Sequence, residues 1–386
     1  MKRYFWVIGS GKSMIQKRAQ FLLRGLAWLI LAAVWLGCSG STAHFRGGPD
    51  RTGRYPAGGP SAELALAWTF KTAGEIQSSP AVVGTKLYFG SEDGYFYALD
   101  RRDGQQLWRF RTGDPIYSSS AVAGGLVYFG CDNGYLYALD AASGRQVWRF
   151  MTDDYVVSSP LVHDGLVFLG SYSGLMYALD AASGEERWRF QTEDWIGSSP
   201  ALSGKSLYFG SADGRLYALD YRTGQELWRF QTADYIGSSP AVADGRIFFG
   251  SADGHVYALD AASGQEVWQL DTLATGWVSP ALADGIVYFS SQQDDTESGR
   301  HCIQAVDAVN GQENWRVEVD GVIGELALSG NTLYFGSDNG LLHALDSHDG
   351  RERWRYSAPD GIWTVPVIAG RNLYFGSIDG CVYALK

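Results

Sequence analysis

The sequence is short of cysteine, of cations and of long apolar runs, and each shortage excludes something. Its 4 Cys, at Cys38, Cys131, Cys302 and Cys381, show no CxxC or CxxCH spacing, so a disulfide framework, a structural zinc centre and a c-type haem lack their ligands. The 6 His include no HExxH pair, which removes the zincin mechanism. Lys and Arg number 31 against 42 Asp and Glu; nucleic acid and anionic lipid both demand the opposite balance, so neither is expected as a partner. No stretch beyond the N-terminal segment carries helical periodicity of useful length.

The one long apolar run is "GLAWLILAAVWLG", Gly25 to Gly37. It is too short to cross a bilayer, which takes about 20 residues, and has the length of a secretory h-region. Six Lys or Arg and no acid precede it, which predicts a signal peptide over residues 1–37 and an exported protein. The basic region is long, and a start at Met14 would give an ordinary one. "WLGCSGS" follows and resembles a bacterial lipobox, with Cys38 as the lipid attachment site and Ser39 as the residue that sorts to an outer membrane. The alternative is cleavage after Ala43 in "STA", giving a soluble periplasmic or secreted protein. Without residues 1–37 the chain keeps 25 basic and 42 acidic residues, a net charge of −17.

What is abundant is turn residues and aromatics: 49 Gly, 11 Pro, 14 Trp and 22 Tyr, spread evenly. From Ser78 the chain repeats about every 40 residues, one unit reading "SSPALSGKSLYFGSADGRLYALDYRTGQELWRFQT" from Ser198 to Thr232. "ALD", or a close variant, recurs at Ala98, Ala138, Ala178, Ala218, Ala258, Ala305, Ala344 and Ala384. Only the unit before Ala305 is longer, by seven residues. Each unit reads as four short antiparallel strands, with "SGK" a tight turn and Asp213-Gly214 a two-residue primed hairpin. Such a repeat predicts an all-β, eight-bladed β-propeller over residues 63–386. The chain stops after the third strand of its last unit, so the N-terminal strand around Trp68 is expected to complete that blade and remove two sheet edges. Residues 38–62 are read as an extended leader or linker.

"ALDAASGRQVW", Ala138 to Trp148, and its copies resemble the AxDxxTGxxxW tryptophan-docking motif of the PQQ-type, quinoprotein-like propeller repeat family. The resemblance implies that Trp68, Trp108, Trp148, Trp188, Trp228, Trp268, Trp315 and Trp354 are inter-blade glue. A catalytic quinoprotein would add a vicinal Cys-Cys, calcium ligands from Glu, Asn and Asp, and an Asp base. None is legible here, so no catalytic residue, metal or cofactor is expected; PQQ with Ca²⁺ is the alternative. Asp294, Asp295 and Glu297 in the long unit lack calcium-loop spacing.

The inner strands carry Ser79, Ser119, Ser159, Ser199, Ser239 and Ser279 at one equivalent position, with Glu325 the only charge in that ring. They are read as a hydroxyl collar of a wet channel. The blade junctions repeat an aromatic beside a carboxylate: Asp154-Tyr155, Glu193-Asp194-Trp195 and Asp234-Tyr235. Exposed aromatics anchor protein interfaces, so these residues are the candidate partner face. Signal, repeats and missing catalytic set together resemble the lipoprotein scaffolds of the outer-membrane β-barrel assembly machinery. The expectation is a monomeric, non-enzymatic envelope scaffold that meets the membrane only through its lipid. The alternatives are a small-ligand-binding quinoprotein-like enzyme or sensor, and a soluble carbohydrate- or peptide-binding propeller using Tyr155, Trp195 and Tyr235.

Overall fold

Every repeat becomes one four-stranded antiparallel sheet, and there are eight of them. The computed structural model describes residues 43–56, 58–60, 62–272, 279–292 and 301–386. In the fourth blade the strands are Ala201–Ser203, Ser206–Gly210, Arg215–Asp220 and Glu226–Gln231, from channel to rim. Leu207, Tyr208 and Phe209 are all buried although successive side chains point to opposite faces. A blade packed between two neighbours has no solvent face, which is why its middle strands are apolar throughout. The outer strand alternates between half-buried and exposed positions. Core clusters accordingly join adjacent blades: Phe168, Met176 and Trp188 of the third pack with Leu207, Phe209 and Tyr217 of the fourth.

One turn differs from its expectation. At Ser211–Arg215 the Gly214 N–H donates to Ser211 O, the Ser211 N–H to Arg215 O, and only Gly214 has a positive φ, of 77°. This is a type I turn with a left-handed glycine, a three-residue loop rather than a two-residue primed one. Asp213 favours it by accepting from Arg215 N–H at 3.0 Å and from Tyr217 OH at 2.7 Å. The primed turns lie one hairpin earlier, as at Asp164-Gly165, with φ of 48° and 75°.

The repeat tryptophans bridge blades. Trp148, Trp188, Trp228 and Trp268 each donate from Nε1 to a turn carbonyl of the next blade, at 2.9 to 3.2 Å. The ring of Trp188 lies flat on Gly224, where any Cβ would stand 2.7 Å from it. Trp108 departs from this, since the equivalent carbonyl, Ala141 O, already accepts from Tyr88 OH and Lys86 Nζ.

The ring closes as expected: strand Leu66–Lys71 pairs with Cys381–Leu385, and Ala65 and Lys386 exchange backbone hydrogen bonds. The last blade consequently lacks the third-to-fourth-strand turn that other blades offer their neighbours. Pro60 fills in, its carbonyl accepting from Tyr334 OH at 2.6 Å as Ala261 O does from Tyr208 OH. Trp354 Nε1, which would meet the same turn, has no hydrogen-bond partner.

The leader runs inside the channel, where the innermost strands present unpaired edges. Carbonyls of Pro49, Asp50, Thr52 and Gly53 accept from Leu202, Val242, Leu282 and Leu328 N–H of four successive blades, at 2.8 to 2.9 Å. Ala43 pairs antiparallel with Val122, and Arg54–Tyr55 runs parallel to strand Ile323–Ser329. Backbone groups that would otherwise be orphaned in a narrow channel are thereby satisfied. The leader is thus part of the propeller; its repeat-free sequence carried no sign of that. The expected signal segment and Cys38 lie outside the described residues, as do Asp294, Asp295 and Glu297.

Candidate functional site

Above the leader the channel widens into a funnel of about 280 Å³, lined by the six serines together with Phe45, Gln77, Tyr117, Glu325 and Trp363. The serines do more than wet the wall. Each accepts, through Oγ, the N–H of its counterpart one blade earlier: Ser79 N to Ser119 Oγ at 2.9 Å, and so on to Ser279. Val365 N–H donates to Ser79 Oγ at 2.9 Å, and Ser279 Oγ donates to Glu325 Oε1 at 2.9 Å. The collar is therefore a chain of blade-to-blade latches.

Two fully buried arginines of the leader close the funnel floor. Arg51 donates from Nε to Pro200 O at 2.9 Å, from Nη1 to Phe45 O at 2.7 Å, and from Nη2 to Ser159 O and Pro160 O. Arg46 donates to Ser239 O, Ser279 O and Pro280 O, and its Nε lies 3.3 Å from Glu325 Oε2. Burial and the neighbouring Arg46 lower the Arg51 pKa to about 9. Burial raises that of Glu325, against the pull of Arg46. Burial and Arg51 push His44 down to about 4, so it is neutral in the channel.

The candidate partner residues all lie on the funnel face. Tyr155 is 51% exposed, Trp195 and Tyr235 are half-buried, and Asp154, Asp194 and Asp234 are exposed. Each of those aspartates accepts the N–H of the aromatic that follows it, at 2.7 to 2.8 Å, which holds the three junctions in one conformation. Glu193 is 2.7 Å from Arg215 Nη1. The aromatics form one arc, because Tyr172 bridges them: Tyr155–Tyr172 centroids are 6.2 Å apart, Tyr172–Trp195 5.0 Å and Trp195–Tyr235 5.9 Å. Tyr172 and Trp363 were missed in the sequence. The signal was available, since the other blades put Glu92, Asp132, Ala212, Ala252, Asp338 or Ile378 where the third has Tyr172.

Beside the arc lies a carboxylate group, Glu75, Glu92, Asp114 and Asp132. Partial burial, then Asp114 and Glu92, raise the Asp132 pKa to about 6, and Asp132 Oδ1 has no hydrogen-bond partner. The asymmetry extends to the whole molecule. Among the described residues, loops on the funnel face carry sixteen Asp or Glu and no Lys or Arg; the turns on the opposite face carry six and seven.

Fold and repeats define the class: an eight-bladed propeller of PQQ-type repeats. The chain belongs to the family described as outer membrane protein assembly factor BamB, which matches residues 63–149, 112–229, 172–300 and 299–386. BamB from Moraxella catarrhalis superposes with a TM-score of 0.71 at 20% identity, over 84% of this chain and 100% of that one. A quinohemoprotein alcohol dehydrogenase from Comamonas testosteroni gives 0.79 at 17%, over 91% and 81%. A europium-containing methanol dehydrogenase gives 0.77 at 14%, over 87% and 96%. At these identities the likeness establishes the fold, which the assembly factor and the dehydrogenases share. No curated protein matches the chain in sequence.

The funnel residues do not fit PQQ with its cation. Their one carboxylate, Glu325, is already engaged by Arg46 and Ser279. Among the described residues no three His, Cys, Asp or Glu are grouped to hold a metal. Cys131, Cys302 and Cys381 stand in separate blades, none in a disulfide.

Proposed function

We propose that the protein is a non-enzymatic scaffold of the cell envelope, tethered through Cys38, that offers its funnel face to a partner protein in outer-membrane protein assembly. The observation that carries the reading is the arc Tyr155–Tyr172–Trp195–Tyr235, set among loops that, in the described residues, carry carboxylates and no Lys or Arg, with Arg215 at a strand end paired to Glu193. Aromatics supply large rigid contact area, while surrounding charge steers approach and selects the partner. A partner presenting basic residues around an apolar prominence meets both requirements.

Membership of the assembly-factor family supports this reading. The dehydrogenase-like alternative draws on the same fold but asks of the funnel a cation site and a free base, for which Glu325 is the one candidate among the described lining residues. The test is capture of the native tagged protein from detergent-solubilised envelopes. A barrel-assembly subunit that co-purifies, and is lost when Asp194→Lys is combined with Trp195→Ala, is the expected result. A chain that recovers no stoichiometric partner and binds PQQ saturably in the presence of Ca²⁺ would overturn it.

A further inference from the structure

The path of the leader has a direction. Ala43 pairs antiparallel with Val122, whose strand, Ala121–Ala123, descends from the funnel side at Ser119 to the turn at Gly124-Gly125. Going from Ala43 to Phe45 the leader therefore climbs towards the funnel, which Phe45 lines. At Ala43 the N-terminal end of the described leader is therefore directed towards the opposite face, the one formed by the turns between first and second strands.

From Cys38 to Ala43 there are five peptide links, a reach of at most about 18 Å. A blade four strands wide at about 4.8 Å spacing extends some 14 Å beyond the channel edge, and its strands add about 17 to 20 Å of height. The tether is too short to pass round a blade and reach the funnel rim. The charge distribution points the same way: among the described residues the turns of the opposite face carry six acids against seven cations, and the loops of the funnel face sixteen acids and no Lys or Arg. Anionic headgroups repel the second and tolerate the first.

We infer that the propeller stands on its membrane with the turn face against the lipid surface and the aromatic, carboxylate-rich face turned away from it. This rests on the reading of Cys38 as an anchor for the membrane, while the direction of the leader does not. The plugged channel is then an orientation device. Arg46 and Arg51 fix the leader, and the fixed leader fixes which face a partner can reach.

The test places a donor dye, through an azide-bearing residue, in place of Lys205 on the turn face or of Ala233 on the funnel face. Both sit in a Cys381→Ala background. The natively processed full chain is reconstituted into vesicles of phosphatidylethanolamine and phosphatidylglycerol that carry an acceptor on the headgroups. The expected result is energy transfer at least about twofold greater from position 205 than from 233, given a height difference of about 20 Å. Equal or reversed transfer overturns the orientation. If the processed chain does not bind vesicles, the anchor reading has failed. A chain produced to begin at Cys38 and coupled there to a maleimide lipid then reads the orientation, and the same inequality is expected.

Discussion

Arg46 Nε lies 3.3 Å from Glu325 Oε2, pairing a fully buried arginine of the leader with a carboxylate of the seventh blade that is one quarter exposed to the funnel, across an otherwise uncharged ring. The six serines of that ring are nearly interchangeable, so the leader could sit against them in several rotational settings. Glu325 reduces the degeneracy, since most settings would leave it without a cation and this one places Arg46 beside it. A single buried polar pair that specifies register at some cost in stability is an established device.

Removing Arg46 strands the Glu325 carboxylate and three backbone carbonyls in the channel. Arg46→Ala is expected to lower unfolding free energy by about 2 to 4 kcal/mol, less than the cost of breaking a wholly buried pair because the Glu325 side chain is one quarter exposed. Glu325→Gln keeps an acceptor for Ser279 Oγ and should cost less, about 1 to 3 kcal/mol. Denaturant titrations of both variants and the double mutant measure the coupling. If Arg46→Ala proves the milder change, the pair does not hold the plug.

The blade contacts give a second prediction. Trp188→Ala removes the ring that lies on Gly224 and the bond to Tyr221 O, and should cost about 3 to 5 kcal/mol. Gly224→Ala and Gly204→Ala both place a Cβ at positive φ, of 71° and 59°. Only at 224 does that Cβ meet an indole, at 2.7 Å; at 204 nothing lies within 4 Å. The excess loss at 224 over 204, about 1 to 3 kcal/mol by analogy with overpacked cores, isolates the blade contact from the backbone strain. Equal losses would mean that the ring simply moves aside.

The blades were legible in the sequence because their signal is repeated. Period, turn residues and Trp spacing gave eight units and the N-terminal closure. The leader was opaque for the opposite reason: "HFRGGPDRTGRYP" occurs once, and nothing in a single run of Arg and Gly marks which carbonyls will receive it. Arg46 and Arg51, which nothing in the sequence singled out, are fully buried, an outcome set by long-range geometry alone. On the funnel face the junction pairs Asp154-Tyr155 and Asp234-Tyr235 were visible as duplicates. Tyr172, the residue that joins them into an arc, stood in a different loop and needed blade-by-blade alignment.

Asp132 supplies a pH signature. Its pKa is raised to about 6 in the folded protein, above the ordinary carboxylate value of about 3.9. The folded state therefore holds this proton more tightly than the unfolded one. Stability from the group is full below about pH 4 and is lost as pH rises through 6. Asp132→Asn abolishes the loss and should leave stability at pH 4 nearly unchanged. At pH 8 it should raise stability by on the order of 1 kcal/mol, allowing for solvent screening at this half-buried site. Melting curves of both proteins across this range make the comparison, and parallel pH profiles would remove Asp132 from the account.

The two components of the funnel face should separate kinetically. Carboxylates spread over a rim act mainly on encounter, and at 0.15 M salt their field decays over about 8 Å. Raising salt from about 0.05 to 0.5 M should slow association with a captured partner by roughly tenfold or more, leaving dissociation little changed. Trp195→Ala should do the reverse, speeding dissociation by about 30-fold, the effect of losing an anchor worth about 2 kcal/mol. Its melting temperature should stay close to that of the parent, because Trp195 is half-buried and packs on Tyr172 and Tyr235 at the rim rather than in the apolar layer between blades. Should Trp195→Ala destabilise the fold as much as Trp188→Ala, the arc belongs to the architecture and the partner face must lie elsewhere.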